Sequence, residues 1–169
     1  MKRLRKNQIY GFSLLETLLY LAVSGSILLA SVQYTAFIFK ARVKFVAMSE
    51  VQEQGGFVLK VLTQALRNAE VLNAPSIGTN GDTLTLAPYG GSGETITFRL
   101  SDSKILKSEA LSDTPLTNSK VIVTNLNFSN LSRNNTPATV QIHFRLETVG
   151  GGSEYTYSSD FYSSASLQK

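Results

Sequence analysis

From Phe12 to Phe39 the chain reads FSLLETLLYLAVSGSILLASVQYTAFIF, 28 residues in which Glu16 is the only charge. Coiled as a helix at about 1.5 Å per residue, this run extends about 42 Å, beyond the ~30 Å hydrocarbon core of a bilayer. It predicts a membrane-spanning segment over 12–39. Beyond Phe39 polar residues enter the pattern, and Phe57, Val58, Val61, Leu62, Ala65, Leu66 and Ala69 recur at spacings of three and four. That spacing marks one face of an amphipathic helix seeking a core. Helix is therefore expected over 40–74, with a kink or break at Gly55-Gly56 and an end near Asn73 and Ala74, where Pro75 restricts the residue before it.

After Pro75 the period changes from near 3.6 to 2. Ile96, Phe98 and Leu100 alternate with Thr95, Thr97 and Arg99, and Ile142, Phe144 and Leu146 alternate with Gln141, His143 and Arg145. These are half-buried strands. Asn80-Gly81, Gly90 to Gly93, Asn134-Asn135 and Gly150 to Gly152 punctuate the region as turns, the last before a Tyr-rich strand near Tyr155 to Phe161. Short loops between strands predict a consecutive antiparallel meander over 75–169, one face packed on the helical stripe. The fold class is thus α+β, a long N-terminal helix with its second half laid on an antiparallel sheet.

Composition sharpens this picture at one point. The net charge of +4 and a pI near 9.4 suggest a polyanionic partner until the charges are located. Lys2, Arg3, Arg5 and Lys6 all precede Gly11, with no acid among them; the remaining 12 basic side chains balance the 12 acidic ones. The basic excess belongs to the first eleven residues. Nucleic acid as a partner is permitted by Lys104, Lys107, Lys120 and Arg133, but nearby acids balance them. With no cysteine in the chain, disulfide and thiolate chemistry are unavailable.

Glu16 is the anomaly. A carboxylate within an apolar span costs about 2.5–3.5 kcal/mol at the helix centre and less near the boundary, so it calls for a partner or for placement at the headgroup level. Its setting is informative. Gly11-Phe12-Ser13-Leu14-Leu15-Glu16, behind a basic leader and ahead of a long apolar helix, resembles the type IV prepilin cleavage and methylation signal. The resemblance covers Lys2 to about Phe39. It implies that a prepilin peptidase cuts between Gly11 and Phe12, releasing 1–11, and that the new Phe12 amine is N-methylated. Glycine lets backbone enter a narrow protease cleft extended. It further implies that the Glu16 carboxylate meets the N-terminal amine of a neighbouring subunit on assembly.

Gly25, between Ser24 and Ser26, is a site where such a helix could bend during extraction or, equally, pack closely against another. Many pilins place a proline in this run; here none occurs before Pro75. Leu66-Arg67-Asn68-Ala69 and the segments Val121 to Phe128 and Thr139 to Leu146 are similar to minor pilins and J-type pseudopilins. The resemblance implies a structural, non-enzymatic subunit of a type IV pilus or type II secretion pseudopilus. Its implied partners are the peptidase, other pilins or pseudopilins, an inner-membrane assembly platform and, before assembly, membrane lipid. The implied location is the cytoplasmic membrane, single-pass, with the N-terminus cytoplasmic and the C-terminal domain outside, then the filament.

Two other readings stay open: a pilin-tip module for DNA uptake or adhesion, and an uncleaved signal-anchored extracytoplasmic protein. No catalytic, cofactor or metal constellation is expected. His143 is the single histidine, and its strand parity predicts a solvated surface position. Gly90 to Gly93 lacks the Lys-Ser/Thr ending of a phosphate loop. Some pseudopilins bind calcium, but no loop here carries alternating acidic ligands. Asn127, Asn130 and Asn134 open N-x-Ser/Thr triplets that arise cheaply in so polar a chain.

Overall fold

The computed structural model describes residues 11–90, 94–110, 112–150 and 156–167. The chain divides into two compact units, one ending at Arg42 and the other beginning at Val43. A single helix, α1 (Leu14–Arg67), contributes to both. In the first unit every described side chain except that of Glu16 is exposed. The most apolar 18-residue window of α1 has a mean hydropathy of 1.7 and is 0% buried, so the helix is long and apolar enough to cross a membrane.

In the second unit α1 buries a narrow line, Val51, Gly55, Val58, Leu62 and Leu66. Val61 and Ala65 flank it, partly buried, while Phe57, expected inside, is half-exposed. The helix runs through Gly55-Gly56 without the expected break. Propensity disfavours glycine there by about 1 kcal/mol per residue, but packing decides. A Cβ on Gly55 would lie 2.1 Å from Cζ of Phe161, so the missing side chain is what admits the ring.

The helix also stops earlier than Pro75. The Asn68 N–H donates to the Gln64 carbonyl at 3.0 Å, and the chain then enters strand β1 (Ala69–Ala74). A short apolar run behind a helix reads equally as another turn or a strand, and here a pairing partner settles it. That partner is β3 (Leu84–Pro88), which leads on to β4 (Ile96–Ser101), β5 (Lys104–Glu109) and β6 (Ser112–Pro115). Together they make an antiparallel sheet of order β1-β3-β4-β5-β6. The β4-β5 connection has positive φ at both Asp102 and Ser103, the geometry of a tight hairpin turn, and Leu100 beside it is exposed rather than inward.

A second antiparallel sheet of order β2-β7-β8-β9 is built from β2 (Asn80–Gly81), β7 (Val121–Asn130), β8 (Thr139–Thr148) and β9 (Ser158–Ser166). The strands therefore form two sheets instead of one meander. Asn80-Gly81, expected as a turn, pairs with Ser129 and Phe128 and draws the chain across to the second sheet. Asn130 fixes that crossing: its buried Nδ2 donates to the Pro75 carbonyl at 2.7 Å, and its own carbonyl accepts from Gly78 N–H at 3.0 Å. Asn134-Asn135 does lie in a turn, with Asn135 at φ 65°. Gly91 to Gly93, Gly151, Gly152 and Tyr155 lie outside the described residues.

The core joins the helical line to Leu84, Leu86, Phe98 and Ile105 of one sheet and Val123, Phe128, Ile142, Phe144, Leu146 and Phe161 of the other. In β8 burial alternates without error, as Ile142, Phe144 and Leu146 predicted. In β7 a bulge between Val123 and Asn125 returns Leu126 and Phe128 to the inner face.

Candidate processing and assembly segment

The first turn of α1 is closed by Ser13. Its carbonyl accepts the N–H groups of Glu16 (3.0 Å) and Thr17 (3.2 Å), and its Oγ accepts that of Glu16 at 3.2 Å. Ser13 is thus the N-cap and Glu16 the third helical residue, the Ser-x-x-Glu spacing of a capping box. This local capping role comes in addition to the assembly role that the resemblance implies for Glu16, and the Ser-x-x-Glu spacing displayed it. The N-terminal end of a helix carries partial positive charge, which favours a carboxylate there.

Because α1 begins at Leu14, Gly11 and Phe12 stand in non-helical backbone. A Cβ on Gly11 would meet nothing within 4 Å. Among the described residues nothing demands glycine at this position. Phe12 and Glu16 are brought together through a residue that sequence reasoning did not single out. Tyr20 donates its hydroxyl to Glu16 Oε1 at 3.5 Å, and its ring stands edge-on to that of Phe12, centroids 6.1 Å apart at 67°. For Glu16 and Tyr20 the signal was available, since they stand four residues apart on one helix.

The rest of the apolar run hides its own polarity. Thr17 donates to Leu14 O (2.9 Å), Ser24 to Tyr20 O (2.5 Å), Ser26 to Ala22 O (2.9 Å), Ser31 to Ile27 O (2.8 Å) and Thr35 to Ser31 O (2.8 Å). Each hydroxyl is satisfied within the helix, as an apolar surrounding requires. Gly25 lies within this stretch of α1, and a Cβ there would meet nothing within 4 Å. Gly56 is similarly open, unlike Gly55.

In the second unit several charged side chains pair with one another. Glu50 of α1 accepts from Asn118 Nδ2 at 2.6 Å and from Lys120 Nζ at 3.0 Å. The Asn118 hydrogen bond, then that of Lys120, hold its carboxyl below the ordinary value of 4.5. Lys107 pairs with Glu109 and Arg99 with Asp113 at 2.7 Å. His143 lies on the outer face of β8, as its parity predicts, and is partly covered there: its ring stacks on Tyr162 with centroids 4.3 Å apart, and its Nε2 lies 3.3 Å from Asp160 Oδ1. Asp160 also receives Arg145 Nη1 at 3.4 Å. No family model, curated protein or solved structure matches this chain. Among the described residues no group of three or more His, Asp or Glu side chains converges as metal ligands would.

Proposed function

We propose that this chain is a structural, non-enzymatic subunit of a type IV pilus-like or type II secretion-like filament, a minor one, held in the cytoplasmic membrane before assembly. A prepilin peptidase cuts it between Gly11 and Phe12, and its fold is pilin-like. The observation that carries the reading is the junction itself: a Gly-Phe bond in non-helical backbone, immediately ahead of a capped apolar helix with no buried side chain in its first unit. Extended backbone suits a protease cleft, and a glycine that none of the described residues requires is explained by a narrow cleft that does.

In the monomer Glu16 is served by the Ser13 cap and the Tyr20 hydroxyl. In the filament it receives the Phe12 amine of a neighbour. Removing one member of a buried ion pair costs about 3–5 kcal/mol, so the pair favours a single stagger of subunits. The cation pairing of Lys107 and Lys120 with acids favours the structural role over capture of DNA.

The test is the N-terminal sequence and intact mass of the membrane-extracted protein made with an active prepilin peptidase. Wild type is expected to begin at methylated Phe12, and Gly11→Val to retain 1–11. A wild-type protein that keeps its first eleven residues beside an active peptidase replaces this reading with an uncleaved signal anchor.

A further inference from the structure

Among the described residues four strands border the two sheets, and three are poor templates for further pairing. β1 carries two register shifts, β2 is two residues long, and β6 is four residues long and ends in Pro115. Bulges, short length and proline are the devices by which sheets protect their edges. β9 has none of them. It runs nine residues in unbroken register with β8, from Thr139↔Ser166 to Glu147↔Ser158, without proline or lysine. Its one charge, Asp160, is turned back toward His143 and Arg145 of β8.

The direction of its backbone groups follows from the bonds that bracket it. Thr148 N–H donates to Tyr157 O and Leu167 N–H to Ala138 O, each at 2.9 Å. With the register unbroken between them, Ser159, Phe161, Ser163 and Ala165 direct N–H and C=O toward β8. Ser158, Asp160, Tyr162, Ser164 and Ser166 direct theirs outward. Among the described residues no further strand pairs with this row.

We infer that β9 is an interaction edge that receives an extended strand from another subunit, completing the second sheet by strand addition. The occupant must offer alternating backbone donors and acceptors. Its side chains would be apolar on the face shared with Phe161 and Ala165, and hydroxyl or amide on the face shared with Tyr162 and Ser164. A second copy of this chain does not fit. Antiparallel β9-to-β9 pairing places a two-fold axis through the sheet and reverses the buried helix of one copy relative to the other. Subunits that share one polarity, as the filament reading requires, cannot meet that way. The choice of a companion prepilin as donor rests on the filament reading; the open edge does not.

The chain is co-expressed with prepilin peptidase and, one at a time, with companion prepilins of the same cell, and the detergent-extracted complexes are followed by amide hydrogen exchange. Alone, the amides of Ser158, Asp160, Tyr162, Ser164 and Ser166 are expected to exchange fast and those of Ser159, Phe161, Ser163 and Ala165 slowly. In a companion complex the outward five become protected. Ser164→Pro removes an outward N–H only, so it is expected to keep the melting temperature and lose the companion. Ser163→Pro breaks a bond to β8 and lowers the melting temperature.

The inference is overturned if no companion binds, if the outward amides stay fast in a complex, or if Ser164→Pro binds as wild type does. Concentration-dependent protection in the chain alone overturns it in favour of a second copy. Leader cleavage is read by mass on the same samples. A cut chain whose outward amides stay fast in the complex sinks the edge assignment alone, whereas an uncut chain sinks the filament reading and the choice of donor with it.

Discussion

Gly55 and Gly56 are adjacent and carry opposite obligations. A methyl group on Gly55 would fall 2.1–2.5 Å from three atoms of the Phe161 ring, whereas one on Gly56 would meet nothing within 4 Å. Gly55→Ala is therefore expected to lower stability by about 1–3 kcal/mol through overpacking. Gly56→Ala is expected to raise it by up to ~1 kcal/mol through helix propensity. Thermal melts of the two variants distinguish these outcomes. The paired glycines read as a helix break because sequence shows the cost of glycine but not the ring that needs it, which arrives from a strand far along the chain. Thr117 supplies a further residue-scale case. Its Oγ1 is buried without a hydrogen-bond partner among the described residues, and burying such a group costs about 1–3 kcal/mol. Thr117→Val keeps the shape and removes the hydroxyl, so its melting temperature is expected to match or exceed that of wild type.

At the scale of elements, local chemistry was legible and pairing was not. The strict alternation of β8 announced its inner face, and the four-residue spacing of Val58, Leu62 and Leu66 announced that of α1. β1 was hidden because Glu70-Val71-Leu72 continues the helical stripe by composition alone; its strand state depends on β3, which sequence pattern does not place beside it. Glu50 joins two elements, gripping from α1 the segment that precedes β7. Its carboxyl is held below 4.5 in the folded protein, so the stability it contributes is fully present above that value and is lost as pH falls through the folded-state value. Glu50→Gln is expected to melt below wild type near neutral pH, with the gap narrowing as the solution is acidified below about pH 4.5. A gap independent of pH would assign the effect of the variant to packing instead.

At the scale of the whole molecule, the sequence conveyed two environments: an apolar helix without cover, and a helix-and-sheet domain with a continuous core. It conveyed the α+β class, but not the division into two sheets. That division hangs on Asn80-Gly81, two residues whose composition signals a turn and whose pairing makes them a strand. The candidate segment was legible in Gly11, Phe12 and Glu16, because a charge in an apolar run is conspicuous. Tyr20 and the Ser13 cap were not, since each is an ordinary residue that acquires its role from helical geometry.

The uninterrupted course of α1 has a mechanical consequence. The backbone that bears the apolar run is the same one that supplies Val51, Val58, Leu62 and Leu66 to the domain core. Tension applied at the N-terminal end of α1 meets no loop between Leu14 and Arg67. It passes along one hydrogen-bonded helix into the packing that holds the domain together, so a pull on the apolar run is also a pull on the fold.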